Sequence, residues 1–133
     1  MRDGTRDFSF SGIKTAVSLH VKRHRPLSAD AVADVAASFQ SAAVRMLVRR
    51  TVSAALDLGI PRVVLTGGVA ANGPLRTALT AEAAEHDLHL HIPPRSLCTD
   101  NAAMIAAAGT ARFMAGHCAD LSMNAIPDLA LAA

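Results

Sequence analysis

Arg62-Val63-Val64-Leu65-Thr66-Gly67-Gly68-Val69-Ala70-Ala71-Asn72 decides the fold of this chain. A β-branched run stops at two glycines and passes into an alanine-rich stretch, which is the pattern of a strand, a tight turn and a helix. The pattern recurs: Leu88-His89-Leu90-His91-Ile92 alternates like a second strand, and Cys98-Thr99-Asp100-Asn101-Ala102-Ala103-Met104 again leads into alanines. Both turns follow carboxyl ends of strands, the edge at which open α/β sheets bind ligands. Two strand-to-helix turns aimed at one ligand are a usual way to hold a nucleotide. Asp100 and Asn72 are therefore expected on one edge of the sheet.

Working outward, Phe8-Ser9-Phe10 alternates and meets Gly12, so it reads as a short strand before a helix over about residues 13–24 that Pro26 ends. Ser28 is a natural N-cap for the longest helix, expected over 28–58, with Val32, Val35, Phe39, Ala42 and Met46 on its apolar side. Asp34, Ser38, Ser41, Arg45 and Arg49 repeat on the other side, and Gly59 and Pro61 supply the stop. Strands at 62–66 and 88–92, with helices at 73–86 and 101–115, complete the list. Each strand-to-strand connection passes through a helix, so the class is α/β with parallel strands covered by helices. Residues 1–116 form the folded part and 117–133 read as a loosely packed tail.

With 133 residues the chain makes one domain that buries about two thirds of its unfolded surface. Its core must be aliphatic, because aromatics are 3% and Trp and Tyr are absent. Charges interrupt the apolar runs before they reach the roughly 20 residues of a membrane span, and the polar start Met1-Arg2-Asp3-Gly4-Thr5 lacks an apolar leader core. A cytoplasmic location is the expectation. Cys98 and Cys118 cannot build a disulfide framework and read as reduced thiols. A net charge of +2 does not announce nucleic acid. Lys14, Lys22, Arg23 and Arg25, with His20 and His24 between them, read either as a solvated helix end or as a local attractor for phosphate.

Four motifs occur in order: Asp7-Phe8-Ser9-Phe10-Ser11-Gly12-Ile13-Lys14-Thr15, Ala33-Asp34-Val35-Ala36-Ala37-Ser38-Phe39-Gln40, the Gly67-Gly68-Val69-Ala70-Ala71-Asn72 turn and the Cys98-Thr99-Asp100-Asn101 turn. Together they resemble the carboxyl-terminal part of the tRNA N6-adenosine threonylcarbamoyltransferase family, formerly labelled O-sialoglycoprotein endopeptidases. The resemblance implies an actin, hexokinase and Hsp70-like fold of two lobes closing on a nucleotide, with this chain forming part of the second lobe. The first lobe and the opening strands of the second have no counterpart here, so the chain reads as a fragment or as a chain that another completes. Unpaired sheet edges are expected where those strands would lie.

The same resemblance gives the site residues. Asp100 matches a metal-ligating aspartate, and a carboxylate at a helix start near phosphates suits a divalent ion, iron or zinc. The plainer alternative is that Asp100 only caps the helix after it. Asn72 matches an asparagine that contacts the bound nucleotide or adenylate, and beside it Gly67 and Gly68 permit close backbone approach and positive φ. Here the alternative is a tight turn with Asn72 as helix cap and no ligand.

The family's other metal ligands are a His-x-x-x-His pair in the part not represented here. His20 and His24 have that spacing in the wrong place, and they are read as exposed. His89 and His91 share one strand face near His86, a weak candidate for metal. Lys14 is read as facing phosphate or tRNA, with no role that the resemblance implies.

By resemblance, the intact enzyme transfers a threonylcarbamoyl group from threonylcarbamoyl-adenylate to N6 of the adenosine 3′ of the anticodon in tRNA. It works with a paralogous subunit and a small ATPase, and without a membrane. The isolated chain is expected to be inactive. A protease is disfavoured by the lack of a His-Glu-x-x-His motif or a serine elbow in the sequence. The remaining alternative is a non-catalytic nucleotide-binding or interaction module completed by a partner chain.

Overall fold

The structure, a computed structural model, describes residues 8–126. The chain divides into two compact units, Met1–Thr99 and Asp100–Ala133. In the first, helices α1 (Ser11–Arg23) and α2 (Ala29–Asp57) precede strand β1 (Arg62–Val64), a 3-10 turn (Gly68–Ala71), helix α3 (Gly73–Glu85), strand β2 (His89–His91) and a second 3-10 turn (Arg95–Leu97). The second unit carries helix α4 (Ala102–Met114). The protein is thus mixed α/β with a small parallel sheet.

β1 and β2 pair in parallel, Arg62 with His89, Val63 with Leu90 and Val64 with His91, as the helical connection requires. One more bond, from the Leu65 N–H to the His91 carbonyl at 3.0 Å, carries the pairing toward the glycine turn. Both strands are shorter than their apolar runs. Among the described residues the sheet has two strands, so each keeps one edge without a strand partner. Two strands alone are marginal, and their stability comes from the helices packed on them.

The core lies where α2 meets α3: Val44, Val48 and Val52 pack with Leu75 and Leu79, and Leu65, Leu88 and Leu90 from the sheet region close around them. This corrects the expected core face of α2. Val32 is 52% exposed, while Val35, Phe39, Ala42 and Met46 are only half-buried. The buried stripe Val44, Val48, Val52, Ala55 belongs to the carboxyl-terminal half of the helix, the half that packs with Leu75 and Leu79 of α3. The polar positions Asp34, Ser38, Ser41, Arg45 and Arg49 are all exposed, as read from the sequence.

The ends of α2 are as expected. The Ser28 hydroxyl accepts from the Ala31 N–H at 3.2 Å. Gly59 takes a left-handed φ of 64° beyond the last turn, and the Ile60 N–H returns to the Ala55 carbonyl at 2.9 Å. α2 is long and apolar enough to cross a membrane. Asp34, Arg45, Arg49 and Arg50 interrupt it with charge, and its 44–55 stripe packs against α3.

The short strand expected at Phe8-Ser9-Phe10 does not form. Phe10 has helical backbone (φ −97°, ψ −9°) at the N-cap of α1, its carbonyl accepts from the Lys14 N–H at 3.0 Å, and Gly12 lies inside the helix. Three alternating residues have little strand preference without a neighbouring strand to pair with. Asp7, the first residue of that motif, lies outside the described residues. In the second unit, 117–126 contains a turn and no helix or strand, and the remainder of the expected tail, 127–133, lies outside the described residues.

Candidate functional site

The 67–72 turn is built by three constraints. Gly67 sits at φ 89° and ψ 170°, a conformation that side chains resist, so the sharp exit from β1 needs glycine there. A Cβ on Gly67 or Gly68 would meet nothing within 4 Å, and both residues are exposed, so the backbone here is open to a ligand. The turn then closes on itself, with the Ala70 N–H bonded to the Gly67 carbonyl at 2.9 Å and the Asn72 N–H to the Val69 carbonyl at 3.0 Å.

Asn72 does cap a helix: its Oδ1 accepts from the Leu75 N–H at 2.9 Å at the start of α3. Its Nδ2 donates to Gln40 Oε1 at 3.0 Å, which ties the turn to α2. Capping orients the side chain and brings the positive end of α3 to the turn, an arrangement that favours an anion.

Arg76, one turn into α3, reaches under this turn. Its Nε donates to the Ala70 carbonyl at 2.5 Å, and its Nη2 donates to the Pro93 carbonyl at 2.8 Å and to Cys98 Sγ at 2.9 Å. The segments after β1 and after β2 are thereby held together at one sheet edge. Sequence reasoning passed over Arg76, although a signal existed: it is the only charged residue between Arg62 and Glu82. Nothing in the sequence around Gln40 marks its contact with Asn72, 32 residues away.

Asp100 opens the second unit and is exposed. The capping alternative is corrected by one position. Asn101, in extended backbone, is the N-cap of α4, and its Oδ1 accepts from the Met104 N–H at 3.0 Å. Asp100 therefore stands outside the helix that the alternative reading had it cap. Six residues, including the Arg95–Leu97 turn, separate β2 from Cys98.

Among the described residues no group of three or more His, Cys, Asp or Glu side chains could hold a metal ion, so a lone Asp100 does not make a metal centre. His89 and His91 are exposed on one face of β2, and His20 and His24 are exposed with rings stacked at 4.3 Å. Among the described residues neither pair has a third ligand. Cys98, buried, and Cys118, exposed, are both free thiols.

A model of the tRNA N6-adenosine threonylcarbamoyltransferase family matches residues 1–107. The chain belongs to that family. It is 53% identical over 129 residues to the tRNA N6-adenosine threonylcarbamoyltransferase of Symbiobacterium thermophilum, covering 97% of this chain and 38% of the relative. The Anaeromyxobacter dehalogenans (strain 2CP-1) protein of the same name is 53% identical over 122 residues, 91% of this chain and 36% of its own length. That of Geobacillus kaustophilus is 50% identical over 134 residues, 98% of this chain and 39% of its own. The chain thus spans somewhat over a third of the length of the curated relatives it matches.

Proposed function

We propose that this chain supplies the nucleotide-holding turn of a threonylcarbamoyl transferase, as part of the second lobe of an actin-like fold over residues 1–116 with a tail at 117–133. In the complete enzyme the N6 amine of the adenosine 3′ of the anticodon attacks the carbamoyl carbon of threonylcarbamoyl-adenylate. The new N–C bond replaces the bond to the adenylate phosphate oxygen, AMP leaves with the electron pair, and the amine gives up one proton to solvent. The observation that carries this reading is the open, glycine-built 67–72 turn, capped by Asn72 and aimed along the amino end of α3.

In that role Gly67 and Gly68 let the backbone approach the adenylate, and Asn72 offers polar contacts at the turn. The amino end of α3 favours its phosphate. The protein's contribution is orientation, which alone removes much of the barrier to a bimolecular transfer. Asp100 supplies one carboxylate toward a divalent ion, iron or zinc, whose other ligands are not among these residues. Asp100 is exposed and helix capping falls to Asn101, so its carboxylate is available for that purpose. The partners are tRNA, a paralogous subunit and a small ATPase, in the cytoplasm. Alone, the 133 residues are inactive, because part of a cleft neither excludes water nor orients two substrates.

The test uses a chimera in which this chain replaces the matching segment of the Symbiobacterium relative. Asn72→Ala should weaken adenine-nucleotide binding in equilibrium titration and leave metal content unchanged, whereas Asp100→Ala should lose the metal. Unaltered nucleotide affinity in the first, or full metal occupancy in the second, removes the corresponding assignment.

A further inference from the structure

We propose that Arg76 is a positioning residue that clamps the nucleotide turn at 67–72 to the segment at 93–98, so that the exits of β1 and β2 move as one body. This rests on the reading of 67–72 as the nucleotide turn. Two segments, 67–72 and 93–98, meet at a single guanidinium: the Ala70 carbonyl at 2.5 Å, the Pro93 carbonyl at 2.8 Å and Cys98 Sγ at 2.9 Å. The fork spends three of its five N–H donors on them, a planar multidentate contact that a lysine cannot reproduce.

The seat is a built one. Ala70 is fully buried, Cys98 is 3% exposed, and Leu75, Arg76's neighbour in α3, is 2% exposed. The Cys98 thiol is 3.5 Å from the Pro94 carbonyl, so it accepts from Arg76 and donates into the same loop. Charge-assisted bonds of this kind are about twice as strong as neutral ones, and losing the donor strands buried acceptors on both sides. Asn72 lies four residues before Arg76, and Asp100 two residues after Cys98. The clamp therefore joins the turn that ends at Asn72 to the segment that follows β2.

The experiment compares the wild-type chain with Arg76→Ala and Arg76→Lys by two local readouts. The first is maleimide labelling of Cys98, with exposed Cys118 as the full-rate reference in the same molecule. The second is amide hydrogen exchange at Ala70, Asn72 and Leu75 against the core amides of Val48, Val52 and Leu79. In both variants Cys98 labelling and turn exchange should rise about tenfold or more while the core amides keep their protection. Should the alanine variant fail to fold, the lysine variant carries the same comparison. Cys98 and the turn amides unchanged, core amides rising equally, or Arg76→Lys matching wild type would each overturn the clamp. A parallel titration with AMP, run on the chimera within the Symbiobacterium relative, separates the two ideas. Failure of that chimera to bind AMP would remove the nucleotide reading and leave the clamp judged by labelling and exchange in the chain itself.

Discussion

Asn72 and Asn101 do the same local work at two helix starts, each accepting from the N–H three residues on, at 2.9 and 3.0 Å. Asn101→Ala should therefore cost about 1 kcal/mol in denaturant unfolding, and Asp100→Ala next to it only a few tenths. Equal losses would return the cap to Asp100. A different local effect falls on Asp120. Its carboxylate accepts from the Ser122 hydroxyl at 2.5 Å and the Ser122 N–H at 2.8 Å, and those bonds hold its pKa below the ordinary carboxylate value. A lowered folded pKa favours the charged form in the folded chain. Its contribution is present above pH about 4, the unfolded carboxyl value, and is lost as pH falls through the lower folded one. NMR titration should find the Asp120 midpoint below the usual range, and Ser122→Ala should raise it; an unmoved midpoint contradicts this account. At this scale the sequence was informative where the residue is a turn former or cap. It was silent on Arg76, whose partners at Ala70, Pro93 and Cys98 are assembled only by folding.

The helices and the two parallel strands were legible because their signals are local: Ser28 before an apolar period, Gly59 after it, and β-branched runs that end in glycine or proline. Strand pairing followed from the helix between them. The core stripe of α2 was not legible, because two apolar stripes run along that helix and the choice between them belongs to α3. Packing predicts the outcome of substitutions. Val48→Ala, at 6% exposure, should cost about 2 kcal/mol or more, and Leu79→Ala, at 3%, about 2–5 kcal/mol. Val32→Ala, at 52% exposure, should stay within about 0.5 kcal/mol. A larger loss at Val32 than at Val48 in urea unfolding would reverse the assignment of the buried face. Phe8-Ser9-Phe10 shows the converse lesson: alternation over three residues yields to the helix that follows when no strand lies alongside.

For the whole molecule, the motifs at 67–72 and 98–101 pointed to the family, and the match over residues 1–107 established it. Of the metal site that the resemblance implies, Asp100 is the residue represented here, and no convergent group of ligands accompanies it among the described residues. The chain corresponds to 38% of the Symbiobacterium relative, and its chemistry is accordingly proposed for the complete enzyme. The central claim is that these residues work as the nucleotide-holding part of a larger transferase. It is tested most directly by mass-spectrometric quantification of threonylcarbamoyladenosine in tRNA incubated with threonylcarbamoyl-adenylate. The purified 133-residue chain should form none, whereas the chimera that places it within the relative should form the nucleoside and lose that activity with Asp100→Ala. Product from the chain alone, or a folded, nucleotide-binding chimera that forms none, would contradict the account.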